Sequence, residues 1–135
     1  HLVVDVLGLV LLVVVHSASI QDGAGGLLTL QKLFDHIKHN LHNRWCRLKL
    51  IWADGGYPSI IDAVRQRFGW TLQIVKRSDE VKGFQVLPHR WVVERTFGWL
   101  GRYRRLARDY EHTTLSSESM VYIASSRRML KILTT

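Results

Sequence analysis

The chain opens with two apolar runs whose alternation predicts β-strands. Val and Leu fill both alternating positions over residues 1–6 and 9–16, which is typical of strands covered on both faces of a sheet. Leu7 and Gly8 separate the runs, where a short hairpin turn fits. Asp5 and Gly8 interrupt the apolar stretch, which is shorter than the roughly 18 residues of a membrane span. The sequence therefore predicts an antiparallel pair of buried strands and no membrane segment.

The following segments change between helical and strand-like periodicity. The predicted elements, in order, are a helix capped by Asp22 that runs to about His42, a strand over 47–53, a helix from Ser59 to Phe68 that stops at Gly69, a strand over 70–75, and a polar loop over 76–83. This order of elements in 135 residues indicates one α/β domain.

The longest predicted element is a helix over residues 88–108, entered at Pro88. A turn of about 100° per residue gives it an apolar side opposite Glu94. That side consists of Val92, Trp99, Tyr103, Leu106 and Tyr110, with Leu100 and Ala107 at its edge. The side of Glu94 holds Arg90, Gly98, Gly101, Arg105 and Arg108. A final apolar helix is predicted to start at a cap on Ser116 or Ser117.

The two glycines on the Glu94 side allow two interpretations. Glycine destabilises a helix interior by about 1 kcal/mol relative to alanine, so Gly98 and Gly101 favour close approach of a bulky group, for which a phosphodiester is a good candidate. The alternative is an ordinary solvated face on which Glu94 pairs with Arg90.

The charge of the chain indicates what kind of partner it binds. A formal net charge of +8 and a pI near 10.2 indicate a polyanion, nucleic acid before membrane. Residues 76–135 hold 12 basic and 6 acidic residues against 7 and 5 in residues 1–75, so we expect the partner mainly on the C-terminal half. The single cysteine, Cys46, excludes an internal disulfide and fits a reducing cytoplasm.

Two groups of residues are candidates for chemistry. Asp54 ends the strand predicted over 47–53 and precedes Gly55 and Gly56, which is where open α/β sheets place ligands. An Asp-Gly turn without chemistry is the alternative. A second group consists of His36, His39, His42 and Cys46, which would suit either a metal or a solvated polar face.

Several segments resemble one known family. The run RWVVERTFGWLGRYRRLARDYE is similar to the C-terminal signature of bacterial insertion-sequence transposases of the DDE type, and LIWADGGY resembles their second catalytic-Asp motif. Two further segments resemble the same family and follow in the expected order along the chain, HLVVDVLGLVLLVVVHSASIQDGAG and WTLQIVKRSDEVKGFQVLPH. The resemblance implies a ribonuclease H-like mixed sheet flanked by helices, with Asp54 and Glu94 as catalytic carboxylates.

The resemblance also implies metals and a partner. Asp54 and Glu94 would hold Mg²⁺ or Mn²⁺ for cleavage and joining of DNA at transposon ends and target, with their carboxylates on the order of 4 to 8 Å apart. The DNA-binding residues expected from the basic signature are Arg90, Arg95, Arg102, Arg105 and Arg108.

The sequence departs from the family pattern at two points. The first catalytic Asp of the family lies on a strand upstream of the hairpin, and Asp5 matches the acid beside the hairpin turn instead. Related enzymes place a basic residue seven positions after the Glu, where this chain has Gly101, with Arg102 nearest.

These departures predict a truncated catalytic domain over residues 1–135 that lacks its first strand and is inactive by itself. An unpaired sheet edge would favour pairing with another chain in a homo-oligomer. The alternatives are a non-catalytic DNA-binding remnant and another metal-dependent nuclease on the same fold.

Overall fold

The computed structural model describes residues 1–40, 47–75 and 89–135. Its helices and strands are β1 (Leu2–Val4), β2 (Val10–Val13), α1 (Asp22–Asn40), β3 (Leu50–Ala53), α2 (Ile61–Phe68), β4 (Thr71–Ile74), α3 (Arg90–Leu100) and α4 (Thr114–Leu133), with 3₁₀ turns at Pro58–Ile60 and Arg104–Leu106. The predicted α/β class is confirmed. The described strands form two sheets of two strands each, one antiparallel and one parallel.

The chain divides into two compact units. We call residues 1–17 with 91–135 the hairpin unit and residues 18–90 the parallel-strand unit. Within the described ranges, no helix is long and apolar enough to cross a membrane.

The hairpin of the first unit is present but shorter than the sequence pattern predicts. Its strands pair from Leu2 opposite Val13, and the register shifts by one residue between Val3 and Val4. The turn is wider than Leu7 and Gly8 alone, because the Asp5 carboxylate accepts backbone N–H bonds from Leu7 at 2.9 Å and Leu9 at 2.8 Å. Asp5 is therefore a turn-forming acid. The residues of β1 are half-buried, so the predicted coverage on both faces is incomplete.

The hairpin turn packs directly on α3. The Thr96 hydroxyl is buried and donates to the Gly8 carbonyl oxygen at 2.8 Å, with the Val92 carbonyl oxygen also within 3.0 Å. Arg95 donates from Nη2 to the Leu7 carbonyl oxygen at 2.9 Å. Gly8 has a positive φ of 82°, and a Cβ atom there would lie 2.8 Å from the Thr96 hydroxyl. Glycine is therefore required by both backbone conformation and space.

The predicted helix over residues 88–108 is wrong in its second half, since α3 ends at Leu100. The N–H groups of Arg102 and Tyr103 bond to carbonyls three residues back, which tightens and terminates the helix. Gly98 and Gly101 explain the early end, because glycine is a poor helix former. The residues from Gly101 to Arg108 therefore do not continue the helical face of Glu94.

The predicted apolar side of this region is only partly buried. Val92 and Leu100 are buried, whereas Ala107 is exposed and Tyr110 is 51% exposed. Tyr110 follows the end of α3, so the 100° rotation used to place it does not apply.

Helix α4 is tied to the hairpin by side-chain hydrogen bonds. The Tyr122 hydroxyl oxygen accepts from the Val13 N–H at 3.1 Å, and the Glu118 carboxylate accepts from the Val15 N–H at 2.9 Å. The cap of α4 is Thr113, whose hydroxyl oxygen accepts from the Ser116 N–H, and the prediction of Ser116 or Ser117 is wrong. Both serines lie inside the first turn of the helix.

The parallel-strand unit has the more continuous core. Strand β3 pairs in parallel with β4, and α2 forms the crossover between them. The buried apolar side chains of the unit are Leu30, Leu33, Ile60, Val64, Phe68, Trp70 and Leu72. The rings of Phe34, Phe68 and Trp70 lie 5.2 to 5.7 Å apart between centroids, a favourable aromatic spacing.

The ends of helices in this unit differ in how well the sequence predicted them. Gly69 ends α2 in the left-handed conformation with φ 70°, as predicted. Asp22 lies inside the first turn of α1, where an acid complements the helix dipole, and Gln21 holds the capping position because its carbonyl accepts from Gly25 N–H. The predicted end of α1 at His42, Cys46, the loop over 76–83 and Pro88 lie outside the described residues.

We expect Gly8→Ala to destabilise the chain by more than about 2 kcal/mol, because it combines left-handed strain with a clash against Thr96. Gly69→Ala is the matched control: it also has positive φ, but nothing lies within 4 Å of its added Cβ, so about 1 kcal/mol should be lost. Urea unfolding followed by tryptophan fluorescence measures both values. Equal losses in the two variants would show that Thr96 does not restrict the Gly8 position.

Candidate active site

Asp54 lies immediately after β3, at the carboxyl end of the parallel pair. Its Oδ1 atom accepts the backbone N–H of Gly56 at 3.0 Å, so the Asp-Gly segment is a turn closed by the carboxylate. The side chain is exposed, and nothing lies within 4 Å of a Cβ added at Gly55. The turn therefore orients one carboxylate oxygen and leaves open space beside it.

A second carboxylate lies next to the first. A Cβ atom placed on Gly56 would be 3.2 Å from Asp22 Oδ2 and 3.3 Å from Asp54 Oδ1. The two acids thus flank one glycine, although 32 positions separate them along the chain. From the sequence, Asp22 is predicted only to cap α1. Its position in the first helical turn was the only signal, and that position fits a capping role equally well.

Tyr57, three residues after Asp54, packs against α1 beside this pair. Its ring fits against the helix because Gly26 has no side chain, and a Cβ there would lie 2.7 Å from two ring carbons. Burial raises the pKa of the Tyr57 phenol, and the negative charges of Asp54 and Asp22 raise it further. The neutral phenol is therefore favoured beside two carboxylates, which also shows that both acids act on the same small region.

An open cleft of about 530 Å³ borders Asp22, one of the two acids, and Gly56. Its lining residues are Ala18, Ile20, Gln21, Asp22, Gly23, Ala24, Gly56, Ser59 and Ile60. Asp22 is the single ionisable side chain among them. The small residues keep the carboxylate of Asp22 accessible to a ligand of moderate size.

Glu94 lies on α3 and is exposed. It belongs to the hairpin unit and Asp54 to the parallel-strand unit, so the expected spacing of their carboxylates stays a prediction. Within residues 1–40, 47–75 and 89–135, no group of three or more His, Cys, Asp or Glu side chains suits a metal ion. His36 and His39 are exposed on α1, whereas His42 and Cys46 lie outside the described residues.

The arginines predicted to bind DNA differ in their environments. Arg95 is half-buried, and its guanidinium lies 4.2 Å from the ring centroid of Trp91 and 4.7 Å from that of Trp99. Arg105 pairs through Nε with Glu111 at 2.8 Å while its side chain stays 56% exposed. Arg102 and Arg108 are exposed. The side chain of Arg90 lies outside the described part of the chain.

Comparison with known proteins adds the following findings. Residues 1–125 match the family described as "Transposase DDE domain". The chain is 34% identical over 113 residues to "Putative transposase for insertion sequence element IS402" from Burkholderia cepacia, a match that covers 82% of this chain and 52% of that protein. The chain thus spans about half the length of this curated relative. No solved structure matches it significantly.

We expect Asp54→Asn to lower the pKa of Tyr57 without restoring its ordinary value of 10.0, because burial is the larger cause of the shift. Since folding raises this pKa, the neutral phenol contributes stability below pH 10 that is lost as the pH rises through the folded value. NMR titration of ¹³C-labelled tyrosine measures the shift, and Tyr57→Phe assigns the resonance. Asp35→Asn, an exposed acid on α1, is the control. An unchanged titration in Asp54→Asn would contradict the electrostatic coupling.

Proposed function

The chain belongs to the transposase DDE domain family, and we propose that it forms part of the catalytic domain of a bacterial insertion-sequence transposase. In this proposal the domain has a ribonuclease H-like fold and serves metal-dependent cleavage and joining of DNA, in the cytoplasm. The main support is the Asp54 carboxylate, which lies at the end of a parallel strand, oriented by Gly56 and open on one side. That position is the typical ligand site of α/β sheets.

The carboxylates fit the metal that the family implies. Asp54 and Glu94 supply hard oxygen donors of the kind preferred by Mg²⁺ and Mn²⁺. The proximity of Asp22 to Asp54 around Gly56 supports a cation there, because adjacent carboxylates repel each other unless a positive charge compensates them. When bound, the metal ions would activate the attacking oxygen and stabilise the leaving oxygen of a phosphodiester.

The protein groups have their own roles in this proposal. The Gly56 N–H holds Oδ1 of Asp54 and so fixes the direction of the other oxygen. The absence of a side chain at Gly55 lets a DNA strand approach the carboxylate. A DNA-binding protein without turnover is the alternative, and it predicts DNA binding that depends on neither metal nor Asp54.

We expect Asp54→Asn and Glu94→Gln each to weaken Mn²⁺ binding about tenfold or more, since loss of even an outer-shell group costs 10- to 100-fold. Electron paramagnetic resonance of free Mn²⁺ measures the affinity in the full chain. If both acids bind the same metal site, the double variant should lose less than the product of the single losses. Asp35→Asn is the matched control. Mn²⁺ affinity equal to the parent in both single variants would refute the assignment of these ligands.

We expect the double variant Arg105→Glu/Arg108→Glu to bind DNA more weakly and with a smaller salt dependence. Each phosphate contact contributes a slope of about −0.9 in a plot of log K against log salt. Arg105 is mostly exposed while its partner Glu111 is half-buried, so equal thermal midpoints must verify that the variant is folded. Arg65→Glu/Arg67→Glu, two exposed arginines on α2, is the control with the same charge change. An unchanged slope in the first variant would exclude both arginines as phosphate contacts.

A further inference from the structure

A second cleft, of about 340 Å³, lies within the hairpin unit between the end of α3 and the last two turns of α4. Its lining residues, which define the α4 cleft, are Trp99, Arg102, Tyr103, Arg128, Lys131, Ile132 and Thr135. Its volume is within the range of ligand pockets, roughly 300 to 1,000 Å³. Arg128, Lys131 and Ile132 are spaced by three and four positions, so they share one face of α4, and Thr135 follows the end of the helix.

The chemistry of this lining is basic and aromatic. Three of the seven side chains are cations, and none is an acid. Arg128 stacks on Trp99, with its guanidinium carbon 3.1 Å from the ring centroid. Arg127, outside the lining, lies 6.0 Å from the Tyr103 ring. Such a mixture of cations and rings is typical of surfaces that follow a nucleic acid backbone.

The stacked Arg128 is held in an orientation that leaves hydrogen-bonding capacity unused. Its Nε atom is buried and has no hydrogen-bond partner among the described residues. Burial lowers the pKa of the Arg128 guanidinium, Tyr103 opposes this effect, and the positive charges of Arg95 and Arg102 lower the pKa further. Several positive charges therefore repel one another around Trp99, and a bound anion would reduce this repulsion.

We propose that the α4 cleft binds a backbone phosphate of a DNA strand through Arg102, Arg128 and Lys131, with the sugar against Trp99 and Tyr103. This inference rests on the DNA partner of the proposed function and adds to it the cations of α4, which lie outside the signature around Glu94. Arg128 is the oriented donor, because its stacking on Trp99 limits rotation of the guanidinium. Lys131 is exposed and contributes a mobile charge.

The test measures fluorescence anisotropy of a labelled short oligodeoxynucleotide, single-stranded and as duplex, with the full chain in EDTA. Lys131→Gln and Arg102→Gln should each weaken binding several-fold and reduce the salt slope by about 0.7 for single strands and 0.9 for duplex. Lys32→Gln, an exposed lysine on α1, is the matched control and should behave as the parent. Both cleft substitutions are at exposed positions, and equal thermal midpoints verify that the variants are folded.

The outcomes separate this inference from the proposed function. Parent-like affinity and slope in both cleft variants would overturn the cleft while leaving a DNA partner in place, and no DNA binding by the parent would overturn both. Loss of DNA binding in the cleft variants, with Mn²⁺ binding independent of Asp54 and Glu94, would support the cleft and reject the metal site. Inorganic phosphate is titrated at constant ionic strength as a second probe. Complete displacement of the strand by low phosphate concentrations would show a free-anion site and overturn the assignment to a strand.

Discussion

The hairpin unit depends on the hydrogen bond from the Thr96 hydroxyl to the carbonyl oxygen of Gly8. It joins residues 88 positions apart, it is buried, and its geometry leaves no room for a side chain at position 8. Loss of such a bond would leave a buried carbonyl unsatisfied, at a cost of about 1 to 3 kcal/mol. The same contact places the hairpin turn against α3, the helix that carries Glu94. The candidate catalytic helix is therefore held by the hairpin at the start of the chain.

The arginines beside this contact have divided roles. Arg95 is part of the fold, because it bonds to the Leu7 carbonyl and lies over two tryptophan rings. Cation–π contacts of this kind contribute about 0.5 to 2 kcal/mol each, so replacing Arg95 would test stability as much as DNA affinity. Arg102 and Lys131 are exposed instead. Substitution at these exposed positions is therefore a cleaner test of phosphate contacts than substitution of Arg95.

In the parallel-strand unit, glycine has a chemical as well as a conformational role. Gly56 donates to Asp54 and leaves room for Asp22, while Gly26 admits the ring of Tyr57. Two carboxylates and a phenol then share a region that opens on a cleft. The acids come from the start of α1 and the end of β3, and the described core of Leu30, Val64 and Leu72 supports both elements. The unit thus provides a packed base for an exposed acidic turn.

The sequence by itself determined the α/β class, the hairpin, the glycine stop of α2 and the family, because these follow from local periodicity, glycine conformation and contiguous motifs. It also singled out Asp54 from its position after an apolar strand. Only the tertiary structure decided that α3 ends at Leu100, that Arg95 belongs to the hairpin contact, and that Asp22 lies beside Asp54. The last two results depend on contacts between residues far apart in the chain, to which a periodic pattern is insensitive, so a capping acid looks the same as a site acid. The end of α3 depends on glycine, whose low helix propensity the spacing of apolar residues does not report.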